Sequence, residues 1–395
     1  MIRAAIFDMD GLMFDTERLF LRSLDEYVGP VTGVAFPLDR VLSILGCNKA
    51  DFNRKFPILF GTKITPARCT ELVTEWMKRE IETNGVPVKP GLYDTLDALK
   101  ADGLRLALAT GTKREIATIY LEMTNTLPYF DALVCGDQVA HGKPDPEIFL
   151  TAAKALSVDP NETVVFEDSY NGLLAAQKGG FLSVCIPDLI NPVPRLETPP
   201  FASFPVLSDA VPLIRYENGA PVTLLPYTLD ALTAYYRGFE ADPALCETPA
   251  DFRPYVFSGD AVRRHFETRR QKTDRADFLI GIGGIPVGEI ALKRIDSTAL
   301  CATAEIHLRA DVWKGRGVGT KAMRLLLDHA FGTLGLRTVF ADALLTNTRS
   351  LRMIRSLGFT HTGDDGRFAY FRLDAPERSS APFLPSGAVD ISRFS

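Results

Sequence analysis

Along the first half of the chain, short apolar runs ending in polar residues alternate with stretches of helical periodicity. AAIFDMD, LRLALAT, TVVFED and LSVCIP each read as a buried strand. Between them apolar positions recur at helical spacing, as at Leu92, Leu96 and Leu99 in PGLYDTLDALKADG. Such alternation predicts an α/β unit, a Rossmann-like parallel sheet covered on both faces, with ligands at the carboxyl ends of its strands. Residues 16–86, inserted after the first strand, are patterned as helix, and TPARCTELVTEWMKREIETNG carries a Thr start and a Gly stop. They predict a helical cap over the carboxyl edge of the sheet.

From about residue 220 the pattern becomes α+β. TLDALTAYYRGFEAD and SGDAVRRHFETRRQK read as helices, the second with Ser258 as N-cap. DFLIGIGG, PVGEIALKRI and TAEIHLRADV follow as antiparallel strands joined by tight turns. WKGRGVGTKAMRLLLDHAF then opens an amphipathic helix with glycines, RTVFADAL is a further strand, and NTRSLRMIRSLGF a further helix. The proline-dense stretch from Pro187 to Pro226 separates the two patterns, and its PVLSDAVPLI reads as a last short strand and turn. The expected division is therefore a first domain over 1–218 (core 1–15 and 87–218, cap 16–86), a second over 219–375, and a loosely packed tail over 376–395.

Charge sharpens this division. Of the net −5, residues 1–218 contribute 21 Lys+Arg against 29 Asp+Glu, or −8, and residues 219–395 contribute 23 against 20, or +3. The balance argues against a dominant nucleic-acid-binding surface. No apolar run approaches the roughly 20 residues of a membrane span. The start MIRAAIFDMDG lacks the flank and cleavage site of a secretion signal. Six scattered cysteines without a CxxC pattern, and five dispersed histidines, support neither a disulfide framework nor structural zinc. The expected setting is a reducing cytoplasm.

Three strands of the first half end in polar residues: Asp8 and Asp10, Thr110, and Glu167 with Asp168. A parallel sheet can bring such ends together in one crevice. Lys143 sits in the loop HGKPDPEIF. Acids crowded at one sheet edge imply a divalent cation, and an all-oxygen site suits Mg²⁺. FDMDGLMFDT, ATGT, GKPDPEIF and VFEDSYNG, in this order on these elements, resemble the four motifs of haloacid dehalogenase superfamily phosphatases. The helical insertion resembles the cap of the β-phosphoglucomutase-like subfamily. The resemblance implies that Asp8 is the nucleophile that forms an aspartyl-phosphate. It makes Asp10 the acid and base, and gives Thr110, Gly111 and Lys143 the substrate phosphate. Asp8, Asp10 through its carbonyl, Asp168 and Glu167 would hold Mg²⁺, with Glu167 either a ligand or a supporting residue. Sugar phosphomutases of this subfamily carry a histidine soon after the Asp-Thr step. Here DTERLFLRS has none, which favours hydrolysis of a small phosphorylated metabolite over mutase chemistry.

In the second half, Lys314-Gly315-Arg316-Gly317-Val318-Gly319 followed by Thr320 places glycines where backbone N–H groups close around a phosphate at a helix start. Together with the segment Asn347 through Phe359, this resembles the coenzyme A loop and following elements of GCN5-related N-acetyltransferases, with Lys in place of the first Arg or Gln. The resemblance implies acetyl-CoA as cofactor, held by the loop with Val312, Asn347 and Ser350, and an amine acceptor, either a small molecule or a protein N-terminus. It also implies a strand splayed at Leu308–Val312. Glu305 is the first candidate for the base and Glu289 the second. The place of the usual acidic tyrosine holds Ile354. The combined expectation is a bifunctional phosphatase and N-acetyltransferase. Its alternatives are a phosphatase regulated by a non-catalytic acetyl-CoA-sensing domain, or a sugar phosphomutase.

Overall fold

The computed structural model describes residues 1–47, 49–241 and 253–376, so the tail expected over 376–395 lies outside the described residues apart from Pro376. The chain forms two compact units, Met1–Pro221 and Val222–Ser395.

The first unit is built on six parallel strands: β1 (Ala4–Phe7), β2 (Arg105–Thr110), β3 (Ala132–Cys135), β4 (Thr163–Glu167), β5 (Leu182–Cys185) and β6 (Ala202–Ser203). Their order is β3-β2-β1-β4-β5-β6. The central strands are apolar along nearly their whole length because both faces are covered. The chain winds one way from β1 through β3 and the other way from β4 through β6. The carboxyl end of β1 therefore lies at the reversal, flanked by the ends of β2 and β4.

Between β1 and β2 lie α1 (Thr16–Ser23), α2 (Gly29–Thr32), α3 (Leu38–Leu42), α4 (Lys49–Phe60) and α5 (Pro66–Asn84). This insertion has its own core of Val28, Val41, Phe56, Cys69 and Leu72. Thr65 caps α5 by accepting from Arg68 N, and Gly85 ends it at φ +79°. The two connecting segments run side by side, with Asp15 N donating to Pro87 O and Lys89 N to Met13 O. The sheet is covered by α6 (Leu92–Ala101), α7 (Arg114–Met123), α8 (Glu147–Leu156), α9 (Tyr170–Lys178) and α10 (Val211–Glu217).

The segment PVLSDAVPLI is not a strand. It forms a 3-10 turn, Leu207–Ala210, that runs into α10. Pro212 falls in the first helical turn, where its missing N–H breaks no bond.

The second unit has seven strands: β7 (Val222–Pro226), β8 (Arg275–Ile282), β9 (Ile285–Asp296), β10 (Cys301–Leu308), β11 (Thr338–Leu344), β12 (Thr360–Asp364) and β13 (Phe368–Asp374). Their order is β12-β13-β11-β10-β9-β8-β7, and only β10 and β11 pair in parallel. The helices are α11 (Leu229–Arg237), α12 (Gly259–Arg270), α13 (Val318–Asp328) and α14 (Thr348–Ser356). Ser258 caps α12 by accepting from Ala261 N.

Strands β10 and β11 are paired only over Cys301–Thr303 and Thr338–Phe340. From Ala304 to Leu308 β10 pairs only with β9. The gap therefore opens at Ala304 rather than over Leu308–Val312, and Asp311–Trp313 is a 3-10 turn. The expectation misplaced the gap because strand pairing, not the strand's own sequence, determines where two strands part.

Candidate active sites

At the reversal in the first sheet, Asp8 follows β1, and Glu167 and Asp168 lie at the end of β4. All three are buried, and a carboxylate oxygen from each lies within 4.8 Å of the others. The Lys143 ammonium enters from the loop before α8 and reaches Asp8 Oδ1 at 2.5 Å and Glu167 Oε1 at 2.6 Å. Glu167 Oε2 accepts from Asp168 N, Ser169 N and Ser169 Oγ at 2.9–3.0 Å. Both Glu167 oxygens are therefore satisfied. Asp168 Oδ1 is buried and has no hydrogen-bond partner.

One ammonium against three buried carboxylates leaves an excess of negative charge. Burial, then repulsion from Glu167 and Asp10, pushes the Asp8 carboxyl up to about 7 against the pull of Lys143. Burial followed by Glu167 and Asp8 raises Asp168 well above its ordinary value. Burial alone would lower Lys143, but Asp8 and Glu167 outweigh it and hold the ammonium charged. An orphaned buried carboxylate oxygen amid hard oxygen donors fits a divalent cation such as Mg²⁺.

Asp10 lies outside this trio. Its Oδ1 accepts from Thr16 Oγ1 at 2.8 Å, and its Oδ2 from Thr112 Oγ1 at 2.7 Å and Thr110 Oγ1 at 3.4 Å. Thr110 is fully buried and also accepts from Thr112 N. Thr16, the first residue of α1, thus holds Asp10 from the insertion. Thr112 escaped the sequence reading, although it lies two residues beyond Thr110 in the same ATGT motif. Gly11 joins these groups at φ +80°, and a Cβ there would meet Asp168 Oδ2 at 2.3 Å. Only glycine lets this turn pass so close to the acid.

The insertion touches the site through Asn171 Nδ2, at the start of α9, which donates to Gly46 O at 2.7 Å. Glu17, on the first turn of α1, lies near the Asp188 carboxylate, whose side chain is buried. Burial, then the Asp188 and Asp10 charges, pushes its carboxyl up to about 7, opposed by Lys89. Arg18 and Lys89 hold Asp188 Oδ1 from the other side at 2.7 and 2.5 Å. His141 is exposed and bonded to Glu147 rather than to this site.

In the second unit the loop Lys314–Gly319 leads into α13 with Gly315 at φ +75° and Gly317 at φ +84°. Two left-handed glycines directly before a helix make a backbone that can close its amides around a pyrophosphate. Lys314 Nζ bonds Asp311 Oδ1 and Arg316 Nε bonds Val312 O, fixing both side chains beside the loop. A Cβ on Gly319 would approach Ile306 and Leu308 of β10 and Met353 of α14. Val318 is buried and Thr320 half-buried on the same first turn. Asn347 caps α14 by accepting from Ser350 N at 3.1 Å, which commits its side-chain oxygen to the backbone.

The opposite face of the same strands carries the acids. Register aligns Leu279, Glu289 and His307 in one row and Asp277, Ala291 and Glu305 in the next. Buried Glu289 is met by Tyr227 and Tyr236 hydroxyls at 3.3 Å, Arg269 at 3.2 Å and His265 at 3.5 Å. Burial opposes its charge, but His265, Arg269 and His307 win, and its carboxyl is lowered. Glu305 lies within 3.5–3.6 Å of Arg269, Arg275, Lys293 and His307. The His307 ring, then Lys293 and Arg269, hold it far below the usual carboxylate range despite burial. His307 was missed in the sequence; strand alternation puts it two residues from Glu305 on the same face.

Both units are similar to known proteins. The haloacid dehalogenase-like hydrolase family matches residues 5–186, and the acetyltransferase (GNAT) domain family matches residues 222–360. The phosphorylated carbohydrates phosphatase of Thermotoga maritima is 36% identical over 182 residues, 45% of this chain and 82% of its own length. Hexitol phosphatase B of Escherichia coli is 31% identical over 204 residues, 47% of this chain and 84% of its own. The crystal structure of CbbY from Rhodobacter sphaeroides in complex with phosphate is 26% identical. It covers 53% of this chain and 96% of that one, with a TM-score of 0.44.

Proposed function

Because the chain belongs to the haloacid dehalogenase-like hydrolases through its first unit and carries a GNAT acetyltransferase domain as its second, we propose a bifunctional enzyme that hydrolyses a small sugar or polyol phosphate and N-acetylates an amine. The names of the two phosphatase relatives favour the substrate class. The observation that carries the first activity is the Asp8–Lys143–Glu167–Asp168 constellation with its orphaned oxygen.

In this reading an Asp8 oxygen attacks phosphorus and the ester P–O bond breaks, leaving an aspartyl-phosphate. The departing alkoxide takes the proton of Asp10, which Thr16 and Thr112 hold in place. Asp10 then removes a proton from water, whose oxygen attacks the acyl phosphate, releasing inorganic phosphate and restoring Asp8. Lys143 offsets the charge of nucleophile and phosphate, and Glu167 aims Lys143. Thr110 and the backbone at Gly111 border the phosphoryl position. Asp8, Asp168 and the Asp10 carbonyl would hold Mg²⁺, which supplies Lewis-acid stabilisation of the phosphoryl oxygens.

In the second unit the loop around Gly315–Gly319 would hold acetyl-CoA, which supplies an activated acyl group. The amine nitrogen attacks the thioester carbonyl, the C–N bond forms, and the C–S bond breaks as the thiolate leaves. His307 takes the amine's proton, with Glu305 behind it as the carboxylate partner rather than as the base itself. The low-lying carboxyl of Glu305 supports this division, because a carboxylate so strongly stabilised is a poor proton acceptor.

The test is Mg²⁺-dependent phosphate release from a panel of sugar and polyol phosphates by wild type and Asp8→Asn. Activity confined to related compounds and lost in Asp8→Asn is expected. Equal release by both proteins refutes the nucleophile. Interconversion of sugar phosphates without phosphate release would indicate the mutase.

A further inference from the structure

The second unit contains a cavity of about 410 Å³ on the acid-bearing face of its sheet. Its walls include Lys272, Arg275, Lys293 and Arg294, set against Asp274 and Asp342. Arg275 and Lys293 are held from beneath by Asp277 and Glu305, so Lys272 and Arg294 are the cations the cavity presents beside Asp274 and Asp342. The side chains of Phe368 and Tyr370 complete the wall, and Tyr370 is 40% exposed.

Arg294 is turned into this cavity by a device in the backbone. Asp296 pairs with Cys301, but the next pair is Lys293 with Thr303, so β9 carries one extra residue opposite β10. Arg294 lies in that bulge at φ +55°, a conformation costly for a side-chain-bearing residue. Bulges redirect side chains. Here the bulge brings Arg294 to the face of Thr303, whose hydroxyl it bonds at 3.1 Å, beside Lys293, which lines the same cavity. Its nearest acid, Asp342, stands 3.9 Å away with Arg294 68% exposed, a loose pairing.

The cavity adjoins the reaction centre just assigned. Arg275 and Lys293 meet Glu305 Oε2, while His307 meets Glu305 Oε1. Gly319 at the start of α13 faces Ile306 and Leu308, which alternate with Glu305 and His307 on β10. The loop and the cavity therefore lie on opposite faces of the sheet, with Lys293 and Arg294 opposite Thr303, the last residue of β10 paired to β11, and Asp342 and Tyr370 just beyond, where the two strands have parted.

We propose that this cavity is the acceptor site, and that the acceptor is a small amine bearing an anionic group, a phosphate or a carboxylate. The anion lies against Arg294 and Lys272, the body of the molecule against Tyr370, and the amine reaches His307. This proposal deepens the acetyltransferase reading and rests on it. An anionic acceptor would also make a phosphorylated amine chemically acceptable to both units of the chain.

The test uses the full chain carrying Asp8→Asn, which prevents loss of the phosphate. Coenzyme A release is measured with a hexosamine, its 6-phosphate and an amine of similar size bearing a carboxylate. The anionic amines are expected to exceed the neutral one in kcat/KM by about a hundredfold, the value of one or two charge-assisted contacts. Arg294→Ala and, separately, Lys272→Ala reduce that preference about tenfold, chiefly through KM, and Arg294→Lys restores part of it. Whichever anionic amine leads identifies the group recognised. Equal use of neutral and anionic amines, or a preference unchanged in both alanine variants, overturns the proposal.

Calorimetric titration of the hexosamine 6-phosphate gives an independent measure. The Asp8→Asn chain shows two sites, and adding Arg294→Ala removes one. If both sites appear but acetyl-CoA does not bind, the acetyltransferase reading fails while the anion site stands. If the second site is absent, the anion site falls. Melting temperature checks that the variants fold, and Lys272, exposed on a turn, keeps the test usable should the bulge tolerate no change.

Discussion

Replacing Lys143 by methionine removes the one ammonium from a pocket of three buried carboxylates while keeping its length. The side chain is 13% exposed, and its partners Asp8 and Glu167 are 10% and 1% exposed. Breaking a buried ion pair by removing one partner costs about 3–5 kcal/mol, because the other charge stays buried without compensation. Two short bonds are lost here, which favours the upper end. The loss depends on pH. Without Lys143 the carboxylates in the folded chain titrate still higher than in the unfolded chain. The folded state then binds more protons, and stability falls as pH rises from about 4 through neutrality. Relative to wild type, the deficit should be small near pH 4 and full at pH 8. For a unit of this size it corresponds to a drop in melting temperature on the order of 10 °C. Scanning calorimetry of the full chain, following the transition that Mg²⁺ shifts, measures it. Mg²⁺ should raise that transition further in Lys143→Met than in wild type, since the metal becomes the only cation in the pocket. A variant as stable as wild type at pH 8, or a deficit that does not change with pH, would refute the charge accounting.

Four further substitutions have expected outcomes, two in each unit. Glu17 titrates at about 7 in the fold against an ordinary 4.5, so the folded chain holds the extra proton and stability falls between those values as pH rises. Glu17→Gln should remove that slope and stabilise the chain at pH 8 by about 2–3 kcal/mol, with little gain at pH 4.5, as read by urea denaturation at both. Gly11→Ala forces a Cβ within 2.3 Å of Asp168 at a left-handed φ. Phosphatase kcat should drop at least about a hundredfold through misplaced acids, and retention of half the activity would contradict the tight approach. In the second unit, His307→Gln should abolish the acidic limb of the acetyl-transfer pH profile and reduce kcat about a hundredfold or more. Glu305→Gln should keep that limb at a lower rate; the reverse pattern returns the base to Glu305.

Much of this could be read from the sequence because the features were local. The ends of β1, β2 and β4 announce themselves as apolar runs closed by Asp8, Thr110 and Glu167, and a parallel sheet brings such ends together. The glycines before α13 are equally plain. What stayed hidden depended on distant pairing. β3 has four residues and is only half-buried at its start, and β6 has two residues; each is a strand because the sheet offers an edge. β12 is almost wholly exposed, so no apolar alternation marks it. Thr112 and His307 become significant only when Asp10 and Glu305 are known to face them. The bulge at Arg294 is invisible in the sequence, since a register shift belongs to two strands at once.

The two acid clusters use the same residue types toward opposite ends, and counting charges separates them. In the first unit Asp8, Glu167 and Asp168 face Lys143 alone, the carboxyls of Asp8 and Asp168 rise, and one oxygen is left without a partner. Such a deficit of positive charge among buried groups is relieved by a divalent cation. In the second unit Asp277, Glu289 and Glu305 face Arg269, Arg275 and Lys293, with His265 and His307 beside them, and the carboxyls of Glu289 and Glu305 fall. That cluster is already neutralised and has no electrostatic demand for a metal. Its cations are oriented by the acids beneath, and the cavity above them gains Lys272 and Arg294. A negative surplus therefore marks the place where phosphoryl chemistry needs a cation. A balanced base beneath a rim that carries Lys272 and the loosely paired Arg294 marks the place where an anion can be received without disturbing the proton acceptor beside it.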